Sequence, residues 1–109
     1  MADRFSIKKD ATFPSIAYEL LEDDGPKDVS SATVTFNSRL KATKTAHVSG
    51  GSAGYVTDGT DGKVQFGFNA AQTATPGIYE GEFVADFGTG IVGHWPSDGF
   101  IEFEIQDDI

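Results

Sequence analysis

The chain has 109 residues, no cysteine, and a net charge of −9 from 8 basic and 17 acidic residues. That length fits one domain spanning residues 1–109, and the missing thiols exclude disulfides and thiolate metal sites. The acidity argues against nucleic acid and anionic membrane partners, both of which are gripped through clustered Lys and Arg, and no apolar run approaches the ~20 residues of a membrane helix. Nine Phe, three Tyr and one Trp are too much aromatic content for a solvated acidic tail. Residues 1–10 lack an apolar stretch and do not read as a signal peptide.

Thirteen Gly and four Pro punctuate short alternating segments, the pattern of an all-β sandwich or barrel. Residues 4–9 alternate, with Phe5 and Ile7 set against Arg4, Ser6 and Lys8, and predict a first edge strand. Residues 13–21 place Ile16, Tyr18 and Leu20 on one side of a period-two ladder. Pro14 belongs at the start or edge of that strand, because it cannot donate to a ladder. A turn follows at residues 23–26.

Residues 32–40 alternate again, with Ala32, Val34 and Phe36 inward. Residues 43–54 are polar and glycine-rich and read as the most mobile stretch, with a short strand at 46–48. Residues 58–62 predict a hairpin-type turn. Val64, Phe66 and Phe68 share a face, and residues 69–75 cross to the other sheet. The longest strand is expected over 78–87, with Tyr79, Gly81, Phe83, Ala85 and Phe87 on one parity. Residues 89–94 and 100–105 are expected to form a last hairpin with Ile101, Phe103 and Ile105 inward. The count is seven to nine strands and no long helix.

Candidate chemistry is thin. His47 and His94 are far apart and lack the spacing of a zinc or protease motif, so each reads as a surface or strand-end residue. The commonest serine-hydrolase elbow is missing. The sequence Asp58-Gly-Thr-Asp61-Gly resembles part of a calcium loop, but the twelfth position is Asn69 where a bidentate Glu is required, and the turn reading is preferred. Asp23, Asp24 and Asp28 gather around another turn, with weak cation binding as the sharper alternative. Neither catalytic nor metal-ligating nor cofactor-binding residues are expected, and the chain reads as a non-enzyme.

Glu80, Glu82, Glu102 and Glu104 share the outward parity of two late strands. If those strands are neighbours, they make a carboxylate ladder, either a solvated face or an acidic docking face; a glycosidase pair would instead need a cleft. Trp95 lies in a loop between His94 and Pro96. It could plug the end of the sandwich, anchor a protein contact, or stack on a sugar.

The most informative local pattern is Pro76-Gly77-Ile78-Tyr79-Glu80-Gly81. Immunoglobulin domains carry a tyrosine corner at the entry to their sixth strand, where the hydroxyl bonds a backbone group a few residues upstream. Gly77 and Tyr79 match that corner, and Gly81 stands where antibody domains place their second cysteine. The fold expected is therefore a single immunoglobulin-like antiparallel β-sandwich.

A wider pattern runs through residues 13–20, from Phe13-Pro14 to Leu20, and through residues 24–36, including Asp28-Val29-Ser30-Ser31-Ala32-Thr33-Val34. It continues through Gly62-Lys63-Val64-Gln65-Phe66, Thr75-Pro76-Gly77-Ile78-Tyr79, and Trp95-Pro96-Ser97-Asp98-Gly99-Phe100. In these residues the chain resembles the immunoglobulin-like amino-terminal domain of tailed-phage baseplate upper proteins. The resemblance implies a virion structural role with capsid or tail proteins as partners: a head decoration or cement protein, or a neck, tail or baseplate accessory. Because residues end at Ile109, the receptor-binding part of such proteins is not expected here. The competing class is a carbohydrate-binding module using Trp95 and exposed Tyr residues.

Residues 4–9 carry three of the eight basic residues, a basic strand on an acidic body. Arg4, Phe5, Ile7 and Lys8, with Trp95, are the candidate docking residues. The strand could add to a neighbouring subunit, a copy of itself or a shell protein, with Phe5 and Ile7 filling the partner's pockets. Alternatively, it completes its own sheet.

Overall fold

Alternation is strongest in residues 77–86, and there the chain builds its central strand. The computed structural model describes residues 5–22, 25–96 and 99–107. Its strands are β1 (Phe5–Lys8), β2 (Ile16–Glu19), β3 (Leu21–Glu22), β4 (Gly25–Pro26), β5 (Thr33–Leu40) and β6 (Ala46–Ser52). They continue as β7 (Gly54–Tyr55), β8 (Lys63–Phe66), β9 (Gly77–Asp86), β10 (Val92–Trp95) and β11 (Ile101–Gln106). Among the described residues eight of these have four or more residues, within the expected seven to nine; β3, β4 and β7 are two-residue pieces. Helix is absent among the described residues.

One sheet runs β1-β11-β9-β5-β6, and the other runs β2-β8-β7. β5 pairs along one edge of β9 from Thr33↔Asp86 to Leu40↔Tyr79. Both β10 and β11 therefore lie on the opposite edge, β10 against Phe83–Asp86 and β11 against Gly77–Gly81. They form one interrupted last strand and not the expected hairpin with each other. The reason is register: Trp95 pairs with Phe83 and Ile101 with Gly81, so both strands use the same edge of β9. This order, a three-stranded sheet facing a sheet with β9, the strand that carries Tyr79, at its centre, is that of an immunoglobulin-like sandwich.

The pairing is antiparallel with one exception. β1 lies parallel to β11, with Phe5↔Phe103 and Ile7↔Ile105 in register. The opening segment thus completes the larger sheet as an edge strand. The glycine-rich stretch expected to be mobile contains the seven-residue strand β6, at the other edge of the same sheet.

Inward residues of both sheets meet in one core. Phe36, Phe83, Phe103, Ile16, Leu20, Ile105, Val29 and Val64 are each under 2 % exposed. Phe36 reaches across the sandwich, its ring centroid 5.0 Å from Phe66 on β8 and 5.0 Å from Phe83 on β9. Burial of such rings is the main favourable term in a domain without disulfides.

At the base of β9 the Tyr79 ring is buried, and its hydroxyl donates to the Thr75 carbonyl at 2.7 Å. That bond ties the chain crossing between the sheets to the strand it enters, the geometry of a tyrosine corner. Burial also pushes the Tyr79 phenol above its ordinary value, so the hydroxyl remains a donor at all ordinary pH.

Candidate functional site

The amino-terminal strand was the first candidate for docking. Phe5 and Ile7 turn into this chain's own core. Ile7 is 3 % exposed, and Phe5 packs its ring 6.3 Å from Phe68 and 6.5 Å from Phe103. Phe5 and Ile7 thus pack within their own domain, as in the reading in which the strand completes its own sheet. The physical reason is the parallel register with β11, which sets both side chains beside Phe103 and Ile105. Lys8 is exposed. Arg4 lies outside the described residues.

Trp95 is also mostly buried, at 9 % exposed. Its indole lies over Gly93, where a Cβ would stand 2.5 Å from the ring. The indole Nε1 donates to the Leu21 carbonyl at 3.1 Å, joining β10 to the segment after β2. Trp95 thus plugs the end of the sandwich. Leu21, whose carbonyl takes that bond, is 53 % exposed, and Ile91 and Val92 are 62 % and 48 % exposed. Val92 and Trp95 project from opposite faces of β10, and sequence alternation alone did not single these three out.

The late carboxylates do share one sheet face. Glu80 pairs across strands with Glu102, and Glu104 with Ile78. The face is not a bare acidic ladder, because β5 and the residues after it bring cations across it. Arg39 Nε lies 2.9 Å from Glu80 Oε1, and Lys44 Nζ lies 3.3 Å from the same oxygen. Lys41 pairs with Glu102, and His94 Nδ1 lies 3.3 Å from Glu82. Arg39 also sits 4.6 Å from the centre of the half-exposed Phe100 ring. The Arg39 hydrogen bond is the main cause holding the Glu80 carboxyl below its ordinary range. Shallow recesses dent this face: about 140 Å³ beside Arg39, Glu80 and Phe100, and about 600 Å³ beside Leu40, Ile78 and Ala42. Neither gathers a nucleophile with a base.

The acidic turns are satisfied locally. Asp58 Oδ1 accepts from the Thr60 amide and hydroxyl, Asp61 from the Thr57 hydroxyl and the Lys63 amide, and Asp28 from the Ser30 amide and hydroxyl. Each carboxyl is held below its ordinary value, first of all by the side-chain hydroxyl. Among the described residues no three His, Cys, Asp or Glu side chains converge as a metal site. Asp23 and Asp24 lie outside the described residues.

His47 is the residue that sequence reasoning placed least well. It is half-buried, 4.3 Å from Tyr79 by ring centroids, with Phe68 and Phe103 at 6.3 Å. Its Nδ1 lies 2.8 Å from the Ser38 hydroxyl, and Nε2 bonds the Gln72 carbonyl. The signal available in the sequence was the pair His47-Val48 itself, two adjacent residues that both face inward only if the strand bulges.

Neither a protein-family model nor a curated protein nor a solved structure matches this chain.

Proposed function

We propose that this chain is a structural protein of a tailed-phage virion, a small immunoglobulin-like module that docks on the particle. Its partners in this reading are capsid or tail proteins, and its place is head decoration or cement, neck, tail or baseplate. It carries no catalysis and needs no cofactor. Two things support the reading: the residue pattern shared with baseplate upper domains, and the sandwich in which those residues are arranged. The observation that carries a docking role is the exposure of large apolar side chains, Leu21, Ile91 and Val92 among them. Large apolar side chains left in solvent on a domain with a packed core fit a protein contact. On the outer face of β9 and β11 the carboxylates of Glu80, Glu82 and Glu102 are instead engaged by Arg39, Lys41, Lys44 and His94.

The carbohydrate-binding alternative draws less support. Its stacking residues are occupied: Trp95 and Tyr79 are buried, and the Tyr55 hydroxyl donates to the Val29 and Ala32 carbonyls, both at 2.8 Å.

Quantitative mass spectrometry of purified virions tests the proposal. Stoichiometric presence is expected, with hundreds of copies for a head protein and a handful for a neck or baseplate protein. Ile91→Asp with Val92→Asp should leave melting nearly unchanged and remove the protein from particles. Absence of the unaltered protein from washed virions would refute the reading.

A further inference from the structure

We propose that His47 is an acid-sensitive latch that fastens the edge strand β6 to the body of the sandwich. The strand is weakly held by its backbone at this point. Ser38 pairs with Val48 and Arg39 pairs with Ala46, so His47 is an extra residue with no partner in the ladder. A second irregularity lies between the pairs Phe36↔Gly51 and Ser38↔Val48. Bulges of this kind re-aim side chains and interrupt pairing, and here the bulge turns His47 inward beside Val48.

The side chain supplies what the ladder lacks. Gln72 offers a carbonyl, which can only accept, so Nε2 carries the ring proton and Nδ1 is the acceptor. The Ser38 hydroxyl donates to Nδ1 at 2.8 Å and accepts from the Val48 amide at 3.2 Å. One neutral imidazole thus joins β6 to β5 and to the crossing that precedes β9, while lying against the ring of the tyrosine corner.

Adding a proton at Nδ1 breaks this arrangement. Nδ1 becomes a donor aimed at a hydroxyl that was itself donating. The Ser38 proton must turn away, and Ser38 is 7 % exposed, so no bulk water replaces the lost acceptor. A charge is also placed among Phe68, Tyr79 and Phe103. The groups facing the ring are Ser38 from β5, Tyr79 from β9, Phe103 from β11, and Phe68 and Gln72 from the crossing. Tyr79 is the titratable one among them, and it remains neutral in this range. Arg39, Glu80 and Glu102 alternate onto the opposite face of the sheet. No carboxylate is among these groups, and burial pulls the His47 pKa below its ordinary 6.5 against the weaker opposing effect of the Gln72 carbonyl. Because the folded value lies below the unfolded one, the latch is intact above pH 6.5 and is lost as pH falls through the folded value.

Amide hydrogen exchange, corrected for intrinsic rates, tests this between about pH 7.5 and about pH 5. Protection at Val48 and Gly50 should fall several-fold over that range while β9 amides hold theirs, with a midpoint matching the His47 ring titration followed by NMR. His47→Gln should flatten the pH response of β6, and His94→Gln should leave it as in the unaltered chain. Constant protection of β6, an equal loss in β9, or a midpoint that follows another group would overturn the proposal, and these three outcomes are read from the unaltered chain alone.

Discussion

Gly81 and Phe36 face each other so closely across β9 and β5 that a Cβ on Gly81 would stand 2.6 Å from the Phe36 ring. Antibody domains place a disulfide in this region, with a tryptophan against it. Here the bare Cα makes room for a phenyl ring that bridges the sheets by packing. Gly81→Ala should therefore cost ~1–3 kcal/mol as an overpacking change. Combining it with Phe36→Leu should cost less than the sum of the single changes, because the two sites share one space. Denaturant melts of the three variants measure both quantities.

The corner bond gives a graded expectation. Tyr79→Phe removes the donor to Thr75 and should cost ~1 kcal/mol, or up to ~3 if the carbonyl is stranded without water. Tyr79→Ala also empties a buried ring site and should cost ~3–5 kcal/mol. A neutral Tyr79→Phe in thermal or chemical unfolding would mean that the bond contributes nothing to the crossover.

Much of this core was legible as period-two alternation. Val34, Phe36, Val64, Phe66, Tyr79, Phe83 and Phe103 all sit where parity places them. The parts that were not legible depend on register, which no single strand encodes. The pairing of Arg39 with Glu80 exists because β5 and β9 align at that step, and the parallel seat of β1 on β11 is likewise a tertiary outcome. The bulge at His47 left only a short strand at 46–48 legible where β6 runs to Ser52, because it breaks the alternation by which a strand is recognised.

The outer face should respond to acid and salt. Glu80 is held below its ordinary 4.5, chiefly by Arg39. Its contribution is therefore present above that value and lost as pH falls through the folded pKa. Glu80→Gln should be less stable than the unaltered chain at neutral pH, with the gap closing on acidification and narrowing in high salt. Unfolding curves at several pH and salt values check this.

Trp95 reports on the loop end. Because its indole is covered and bonded to Leu21, acrylamide should quench its fluorescence poorly in the folded protein and strongly after unfolding. Efficient quenching in the native state would restore Trp95 as an exposed platform and with it the sugar-binding alternative.

Equilibrium unfolding of the chain lacking residues 1–9 separates a self-closed sandwich that docks by its surface from a strand donor that docks by exchange. With Ile7 buried beside Phe103 and Ile105, the shortened protein should lose at least the ~2–5 kcal/mol that truncation of one buried Ile costs, or fail to fold. A melting transition within a degree or two of the full chain, with self-association or particle binding abolished, would contradict this and return the docking role to the amino-terminal strand.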